Sequence, residues 1–403
     1  MKVLIIQSWI RVGGAELISI HLAHQLQDRG HEARIACTFL DAAGLPSEAG
    51  EVEYLLPAPW LARCCMESRL FFLLFGPWLL LATVWKQSQR VDILNPHNFP
   101  AVWVAVVVGA LRHLPVVWTC NEPPEPLAWR DAIKVGLGDF VGWWLASSWI
   151  DRLLVQRAAS VYVPSEMTRR QVRARYGIDS NVIRLGINSL FFERRGKNGL
   201  AKRLDLDSKF VLLSVGKLHP QKNQLLCIEA LRRVLTQIPN AVLVLAGDGP
   251  MAQEWAAEAV RNGIAAHVRF LGRRNPLEVR ELYAICDVNL FPPTNQSWGL
   301  TPFEALCAGK VSIVSNDCGA AEVLSEQGIG LVCDPTPEAF ARKILEIHKN
   351  PGLYRAIARK GRRFVVENLT WSQYAERVLG LMEEAYLPVE DPLRQTVHGV
   401  TAR

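Results

Sequence analysis

The stretch from residue 291 to residue 309 reads FPPTNQSWGLTPFEALCAG and has the layout of an anion-binding loop. An apolar segment ends in prolines and a polar loop, and Gly299 then precedes a helix predicted to begin near Thr301. The N-terminus of a helix exposes unpaired N–H groups, so a phosphate beside Gly299 and Leu300 can be bound without a cationic side chain. Glu304, early in this helix, can accept hydrogen bonds from two adjacent sugar hydroxyls. The alternative is a helix that merely follows a proline-rich turn, with a solvated Glu304.

A second group of residues that could bind phosphate lies earlier in the same half of the chain. The apolar segment 210–215 predicts a strand, and Lys217 and Lys222 follow it just before a predicted helix. Two ammonium groups at a strand-to-helix junction present positive charge where a diphosphate could lie. The alternative is a pair of solvated surface lysines. Strands and helices alternate from residue 210 onward, which predicts a parallel, doubly wound sheet.

The first half of the chain opens with the same alternation. An apolar strand is predicted at 2–7, a turn contains Gly13 and Gly14, and an amphipathic helix follows. This βαβ unit lacks the three-glycine fingerprint of dinucleotide-binding proteins, so we do not expect a nicotinamide cofactor. His97 follows another predicted strand, at the edge where open α/β sheets bind ligands, although a lone histidine is more often structural.

Length and composition exclude several classes of protein. The chain has 403 residues, of which 50% are hydrophobic and 21% are charged, so it is too long for one compact core and fits two domains. The net charge of +6 suits an anionic ligand or a membrane surface, but no basic run with interleaved aromatic residues indicates a nucleic-acid partner. The nine cysteines lack paired metal-ligand spacing and are typical of reduced thiols, so we expect a cytoplasmic protein without a metal site.

One apolar segment, 70–85, does not fit an ordinary soluble domain. It is shorter than the roughly 20 residues needed to span a membrane, and Gly76 and Pro77 interrupt it. A second aromatic stretch lies at 140–150, and ten of the thirteen tryptophans fall within the first 150 residues. Tryptophan favours membrane interfaces, so we predict peripheral membrane contact through the N-terminal domain and exclude a true span. The alternative is a pair of buried contacts in an enlarged domain.

The 291–309 stretch resembles the signature of the retaining, GT-B-fold glycosyltransferases of family 4. In that family two glutamates are separated by seven residues around a Phe-Gly or Trp-Gly pair. Here the pair is Trp298-Gly299 and the second glutamate is Glu304, but Gln296 stands in the place of the first. An amide can still hydrogen-bond a sugar hydroxyl, although it supplies no negative charge near the reacting carbon.

The resemblance implies roles for the other candidate residues. In the family, the loop after the first strand faces the donor phosphates, the histidine hydrogen-bonds the transferred sugar, and the loop at Arg273 lies near the nucleotide base. The position of Lys217 is usually an arginine, so lysine keeps the charge and loses the forked geometry. The implied catalytic residues are His97, Lys217, Lys222 and Gln296, and the implied donor-binding residues are Gly13, Gly14, Arg273, Trp298, Gly299, Leu300 and Glu304.

The fold implied by the resemblance is GT-B, in which two Rossmann-like, doubly wound parallel-sheet domains face a cleft. The acceptor-side domain is expected at 1–195 and the nucleotide-sugar-binding domain at 208–370. The charged segment 193–207 is predicted to be a linker. A C-terminal helix at 371–390 is expected to pack back on the first domain.

The implied reaction moves a sugar from a nucleoside-diphosphate sugar to a glycan or lipid-linked acceptor, with retention of the anomeric configuration and without a metal or other cofactor. An enzyme of polysaccharide biosynthesis at the inner face of the cytoplasmic membrane fits the apolar N-terminal segments. Two alternatives stay open: a nucleotide-sugar epimerase or phosphorylase of the same architecture, and a membrane-peripheral nucleotide-sugar-binding protein that has lost turnover. The residues Lys217 and Gln296 motivate the second alternative.

Overall fold

The computed structural model describes residues 1–11, 14–41, 45, 47–97, 99–123, 149–193 and 199–387. The chain forms two compact units. Unit 1 comprises Met1–Tyr162, Val172–Asn181 and the segment from Ala375 onward, and unit 2 comprises Val163–Gln171 and Val182–Tyr374. Each unit is built on one β-sheet.

The sheet of unit 1 contains the strands β1 (Lys2–Gln7), β2 (Glu32–Ala36), β3 (Glu53–Leu55), β4 (Ile93–His97), β5 (Val117–Thr119), β6 (Ser160–Val163) and β7 (Asn181–Val182). Their order across the sheet is β3-β2-β1-β4-β5-β6-β7, and neighbouring strands from β3 to β6 pair in parallel. The strand β1 reads KVLIIQ and is buried from its second residue to its last. A continuous apolar run of this kind is typical of a parallel strand that is covered on both faces.

The helices of the first half are α1 (Gly14–Asp28), α2 (Pro59–Glu67), α3 (Arg69–Gln87), α4 (Ala101–Arg112), α5 (Trp149–Val155) and α6 (Glu166–Tyr176). The helix α4 is apolar almost all round and packs as a core helix, because seven of its residues are buried.

The helix α3 continues through Gly76 and Pro77, which the sequence predicts as an interruption. A proline inside a helix removes one backbone hydrogen bond, and packing of the rest of the helix can compensate for that loss. Leu80 and Val84 of α3 are buried, whereas Trp78 is 70% exposed. The helix therefore has one apolar face in the core and another in solvent.

None of the helices in the described ranges has both the length and the apolarity to cross a bilayer. Most of the second predicted aromatic stretch, residues 140–148, lies outside the described residues. Its last two residues, Trp149 and Ile150, begin α5 and are 73% and 37% exposed.

The sheet of unit 2 contains β8 (Phe210–Val215), β9 (Ala241–Ala246), β10 (Val268–Gly272), β11 (Val288–Phe291), β12 (Val311–Ser315) and β13 (Leu331–Cys333). The strand order is β10-β9-β8-β11-β12-β13, and every ladder is parallel. Leu212 and Leu243 belong to one buried apolar cluster, while Leu213 and Val242 belong to another. Successive residues thus face opposite sides of a sheet that is covered on both faces, which confirms the predicted doubly wound arrangement.

The remaining helices are α7 (Ser189–Glu193), α8 (Leu200–Arg203), α9 (Leu225–Val234), α10 (Ala252–Arg261), α11 (Pro276–Ile285), α12 (Thr301–Cys307), α13 (Gly319–Gln327), α14 (Pro337–Lys349), α15 (Pro351–Asn368) and α16 (Trp371–Tyr386). From Ala375 onward α16 belongs to unit 1.

The boundaries of the units differ from the predicted domains 1–195 and 208–370. Unit 2 begins at Val163, takes up the first six residues of α6, and resumes at Val182. The predicted linker 193–207 contains α8, and its Leu200 and Leu206 are 6% and 4% exposed within a core cluster of unit 2. Two leucines of this mainly charged segment are therefore buried in the core of unit 2. Residues 194–198 lie outside the described residues.

Candidate active site

The candidate site of unit 2 lies at the carboxyl edge of its sheet, between β8 and β11. The chain adds β9 and β10 on one side of β8 and then returns to place β11, β12 and β13 on the other. At such a reversal the loops that leave neighbouring strands diverge and open a crevice for ligands. The 216–223 loop leaves β8 and the 292–300 loop leaves β11, so these two loops border the crevice.

Lys222 and Gln296, two of the predicted catalytic residues, meet between these loops. The Lys222 ammonium group donates a hydrogen bond to the side-chain carbonyl oxygen of Gln296. The loops are also joined by the N–H of Thr294, which donates to the carbonyl oxygen of Gln221 at 3.0 Å. Because the amide of Gln296 carries no charge, it orients the ammonium group without neutralising it.

Lys217, the other predicted lysine, is exposed at the start of the same loop. The positive charges of Lys217 and Lys222 both interact with the His219 ring. Burial, and then these two ammonium groups, lower the pKa of His219 below its ordinary value. Both ammonium groups therefore favour the neutral form of the His219 ring.

Glu304 lies in the first turn of α12 and is partly buried. Its Oε2 accepts a hydrogen bond from the Tyr283 hydroxyl at 2.8 Å. Burial raises the pKa of Glu304 to about 7, although the hydrogen bond from Tyr283 opposes the shift. Near neutral pH this carboxyl group is divided between its protonated and ionised forms, so it can both donate and accept hydrogen bonds.

Gly299 and Trp298 shape the end of the 292–300 loop. A Cβ atom at Gly299 would lie 2.4 Å from the ring of Phe291, so only glycine fits without displacing that ring. The Trp298 ring is 3% exposed and stacks on Phe303, with ring centroids 5.2 Å apart. The Trp298 side chain, which the sequence predicts to bind the donor, is therefore packed in the protein interior against Phe303.

The predicted anion site at the N-terminus of α12 is smaller than the sequence indicates. The helix is only seven residues long. The N–H groups of Phe303 and Glu304 both donate to the carbonyl oxygen of Leu300 at 3.0 Å, so these two groups are used within the helix. The lysines of the 216–223 loop thus form the stronger positive feature of the crevice.

Arg273 lies apart from the lysines. It follows β10, the outermost strand on its side of the sheet, and its side chain is exposed. Two strands, β9 and β8, separate β10 from β11. The contact between Arg273 and the nucleotide base therefore stays a prediction.

In unit 1 the chain reverses between β1 and β4, and His97 ends β4 at this point. The His97 side chain is fully buried, and its Nε2 lies 3.0 Å from the Oδ1 of Asn95. Burial lowers the pKa of His97 to about 3, so the ring is neutral. The predicted hydrogen bond from His97 to the transferred sugar stays a prediction, and the ring that would form it is neutral and buried.

Four polar side chains at this edge of unit 1 are buried and have at least one polar atom without a hydrogen-bond partner. They are Gln7, Ser8, His97 and Asn121, and the most exposed of them, Asn121, is 6% exposed. Gln7 is the register partner of His97, so their side chains point to the same face of the sheet. His97 is also the partner of Thr119, and Asn121 follows Thr119 by two residues at the same edge. Buried polar groups are normally paired, so this cluster marks a place where a polar ligand can supply the partners.

The glycine turn predicted at Gly13 and Gly14 is only half visible. Gly13 lies outside the described residues. Gly14 is the first residue of α1, and no heavy atom lies within 4 Å of the position that its Cβ would take. Packing therefore does not require a glycine at residue 14.

The cysteines and acidic residues show no metal centre within the described ranges, because no three His, Cys, Asp or Glu side chains cluster there as metal ligands would. All nine cysteines are free thiols, and only Cys64 and Cys333 are partly exposed. Burial raises the pKa of Cys37 and Cys318 to about 12, so these thiols stay protonated and unreactive.

Several residues of these sites were missed by sequence reasoning. Tyr283 comes from a helix 21 residues before Glu304, and no local pattern links the two. Gln7 and Asn121 could have been found from the sequence, because each is a polar residue at the end of an apolar strand. Such positions fall at the ligand-binding edge of a parallel sheet.

Comparison with known proteins agrees with this geometry. Residues 12–189 match the family model described as Glycosyltransferase Family 4, and residues 200–364 match the one described as Glycosyl transferases group 1. A Homo sapiens alpha-1,3/1,6-mannosyltransferase is 23% identical over 404 residues, which cover 94% of each chain.

Solved structures share the fold. Anabaena HepE in complex with UDP superposes with a TM-score of 0.74 at 20% identity, over 95% of this chain and 100% of that one. Sucrose-phosphate synthase from Thermosynechococcus elongatus gives a TM-score of 0.75 at 18% identity, over 96% and 99% of the two chains. The two parallel-sheet units and the two family matches together show that this chain belongs to the GT-B-fold glycosyltransferases of family 4.

Proposed function

We propose that this glycosyltransferase transfers a hexosyl group from a nucleoside-diphosphate sugar to a hydroxyl of a glycan or lipid-linked acceptor, with retention at the anomeric carbon. The observation that carries the proposal is the meeting of Lys222 and Gln296 at the strand reversal of unit 2, close to Lys217. A diphosphate placed there gains two positive charges. The likeness to HepE, which was solved with UDP, supports a nucleotide-sugar donor.

In the proposed reaction the bond between the anomeric carbon and the diphosphate oxygen breaks, and negative charge develops on the leaving group. Lys217 and Lys222 stabilise that charge. Glu304, with its divided protonation state and its partner Tyr283, binds the ribose hydroxyls. Because the lysines neutralise the diphosphate, we expect the reaction to need no metal ion.

Retention is proposed here because the resemblance to the family implies that the acceptor attacks on the face that the diphosphate leaves. The proton of the acceptor hydroxyl then passes to the leaving phosphate oxygen. The neutral side chain at residue 296 fits this proposal, because an amide is too weak a nucleophile to form a covalent glycosyl intermediate. Gln296 hydrogen-bonds the sugar and holds Lys222.

The acceptor is proposed to bind at the carboxyl edge of the unit 1 sheet. The unpaired atoms of Gln7, Ser8, His97 and Asn121 are all uncharged, since burial keeps His97 neutral. Such a set suits the hydroxyls of a sugar ring better than a phosphate. We therefore propose a glycan part on the acceptor.

A lipid-linked acceptor also fits the surface of unit 1. Leu74, Phe75 and Trp78 of α3 are 56%, 49% and 70% exposed, and Trp60 of α2 is 66% exposed. Aromatic side chains of this kind insert into the interfacial region of a bilayer, and exposed Arg63 can contact anionic headgroups. We propose that this apolar surface binds the cytoplasmic face of the membrane, where free thiols are stable.

A panel of radiolabelled UDP- and GDP-sugars, incubated with the purified protein and a membrane extract, tests the proposal. Label in the glycan or lipid fraction with retained anomeric configuration supports it. Donor binding without transfer or hydrolysis would instead favour a protein that binds nucleotide sugars and has lost turnover, as Gln296 in place of a glutamate suggests. Conversion of the free donor to its epimer would favour an epimerase.

A further inference from the structure

A serine hydroxyl ties the 292–300 loop to the start of α6 within unit 2. Ser165 precedes α6, and its Oγ accepts a hydrogen bond from the Thr168 N–H at 3.1 Å, as an N-cap residue does. The single hydroxyl proton of Ser165 goes to the carbonyl oxygen of Ser297 at 2.7 Å. Ser165 is 1% exposed, so water does not compete for this bond.

A carboxylate from α13 completes the same attachment. Glu322 accepts hydrogen bonds from the N–H groups of Glu166 and Met167, at 2.9 and 2.7 Å. Its Oε1 also lies 3.5 Å from the guanidinium of Arg170. The first three N–H groups of α6 are thus bound by Glu322 and Ser165, and the negative charge faces the positive end of the helix.

The loop itself is packed tightly against α13. Gly319, the first residue of α13, donates its N–H to the carbonyl oxygen of Gln296 at 2.9 Å. A Cβ atom at Gly319 would lie 2.1 Å from the carbonyl oxygen of Ser297 and 2.6 Å from the Cβ of Ser165. The backbone carbonyls of Gln296 and Ser297 are therefore held by α13 and by Ser165 at the start of α6.

We infer that Ser165 and Glu322 are positioning residues, which set the place of Gln296 and through it of the Lys222 ammonium group. The inference rests on the proposed function, because it assigns Lys222 to the leaving diphosphate. Without the Ser165 hydroxyl, the Ser297 carbonyl loses the shorter of two side-chain hydrogen bonds, because the Thr168 hydroxyl lies 3.5 Å away. The loop is expected to shift as it adjusts to that loss. Gln296 precedes Ser297 directly, so it moves with that shift.

The transition state is more sensitive to such a shift than donor binding is. A displacement of the order of 1 Å can cost about 10²-fold in rate, whereas a flexible lysine still attracts a bound diphosphate over that distance. A positioning role therefore lowers kcat more than it raises the KM for the donor.

The test compares Ser165→Ala and Glu322→Gln with Glu326→Gln. Glu326 lies on the same helix as Glu322. Its carboxylate forms an ion pair with Arg184 at the surface, away from the hydrogen bonds that hold the loop. We expect kcat to fall about tenfold in Ser165→Ala and in Glu322→Gln, with the donor KM changed by less than about threefold. Glu326→Gln should turn over at the wild-type rate.

A double-mutant cycle separates positioning from a general loss of stability. In a Gln296→Ala background, Ser165→Ala should lower kcat by less than about twofold, because the side chain that it positions is gone. A full tenfold effect in that background would overturn the inference, as would a Ser165→Ala variant as active as Glu326→Gln. If the wild-type protein transfers no sugar from any donor, the proposed function and this inference both fail. If the wild-type protein is active but the variants behave as above, only the inference fails.

Discussion

The hydroxyl of Tyr283 donates to the Oε2 of Glu304 at 2.8 Å, and burial raises the pKa of that carboxyl group to about 7. For an acid whose pKa is higher in the folded protein than in the unfolded chain, the folded state holds the extra proton between those two values. Stability should therefore fall as pH rises from about 4.5 to about 7.

Glu304→Gln should remove this dependence. The amide cannot ionise, so the free energy of unfolding of the variant should gain about 2 kcal/mol relative to wild type between pH 5 and pH 8. Urea unfolding of both proteins at the two pH values measures the difference. In the wild-type protein, kcat/KM should rise with pH around a midpoint near pH 7, as Glu304 ionises. The Glu304→Gln variant should lack this rise. The same pH dependence in both proteins would contradict the role of Glu304.

Lys222→Ala should lower kcat/KM by about 10²-fold or more, because a charge that stabilises the leaving group in the transition state is lost. Steady-state kinetics with the best donor measures the effect. Lys222→Arg keeps the charge and should lose less than about tenfold. An alanine variant with a rate near that of wild type would remove Lys222 from the reaction.

Gly299→Ala should destabilise unit 2 by about 1–3 kcal/mol, because the new methyl group lies 2.4 Å from the ring of Phe291 and the φ angle of 155° suits glycine. Thermal unfolding and kcat/KM should both decline. Gly380→Ala is the matched control, since nothing lies within 4 Å of its Cβ position in the helix α16. That substitution should raise stability by about 0.5–1 kcal/mol.

Asn121→Leu should make the free protein more stable by about 1 kcal/mol and less active. The substitution removes two unpaired polar atoms from a site that is 6% exposed, and it keeps a side chain of similar volume. The KM for the acceptor should rise at least about tenfold while the KM for the donor stays the same. Equal changes in both constants would show that Asn121 does not contact the acceptor.

The pair Phe75→Ser and Trp78→Ser should reduce binding to vesicles of anionic lipid by about tenfold, since two partly exposed aromatic rings leave the surface of α3. Co-sedimentation with vesicles measures the bound fraction. The control is Leu353→Ser, a 57% exposed leucine of unit 2. Equal losses in the two proteins would show that the α3 surface is not the one that binds lipid.

The strands and the lysine loop could be predicted because their signals are local. Apolar runs such as residues 2–7 mark buried parallel strands, and Lys217 and Lys222 lie in the loop that follows such a run, 210–215. The doubly wound class of fold follows from that pattern, whereas the GT-B assignment and the roles of the loop residues came from the resemblance to the family.

The rest depends on contacts between residues far apart in the chain. Ser165 and Ser297 are 132 residues apart, and nothing in either neighbourhood indicates their bond. The full burial of His97 depends on the packing around β4, which its position in the sequence does not indicate. The segment 193–207 was predicted as a linker because its charges outnumber the two leucines that anchor it.

The distribution of the thiols offers a practical route to the motions of this enzyme. Seven of the nine cysteines are buried, and the two that are partly exposed, Cys64 and Cys333, belong to different units. A pair of maleimide dyes can therefore be directed to the natural chain, one on each unit, without engineering new attachment points. Labelling of Cys333 needs a raised pH, because burial raises the pKa of this thiol to about 11. Energy transfer between the dyes would then follow the separation of the two units in single molecules as donor and acceptor are added.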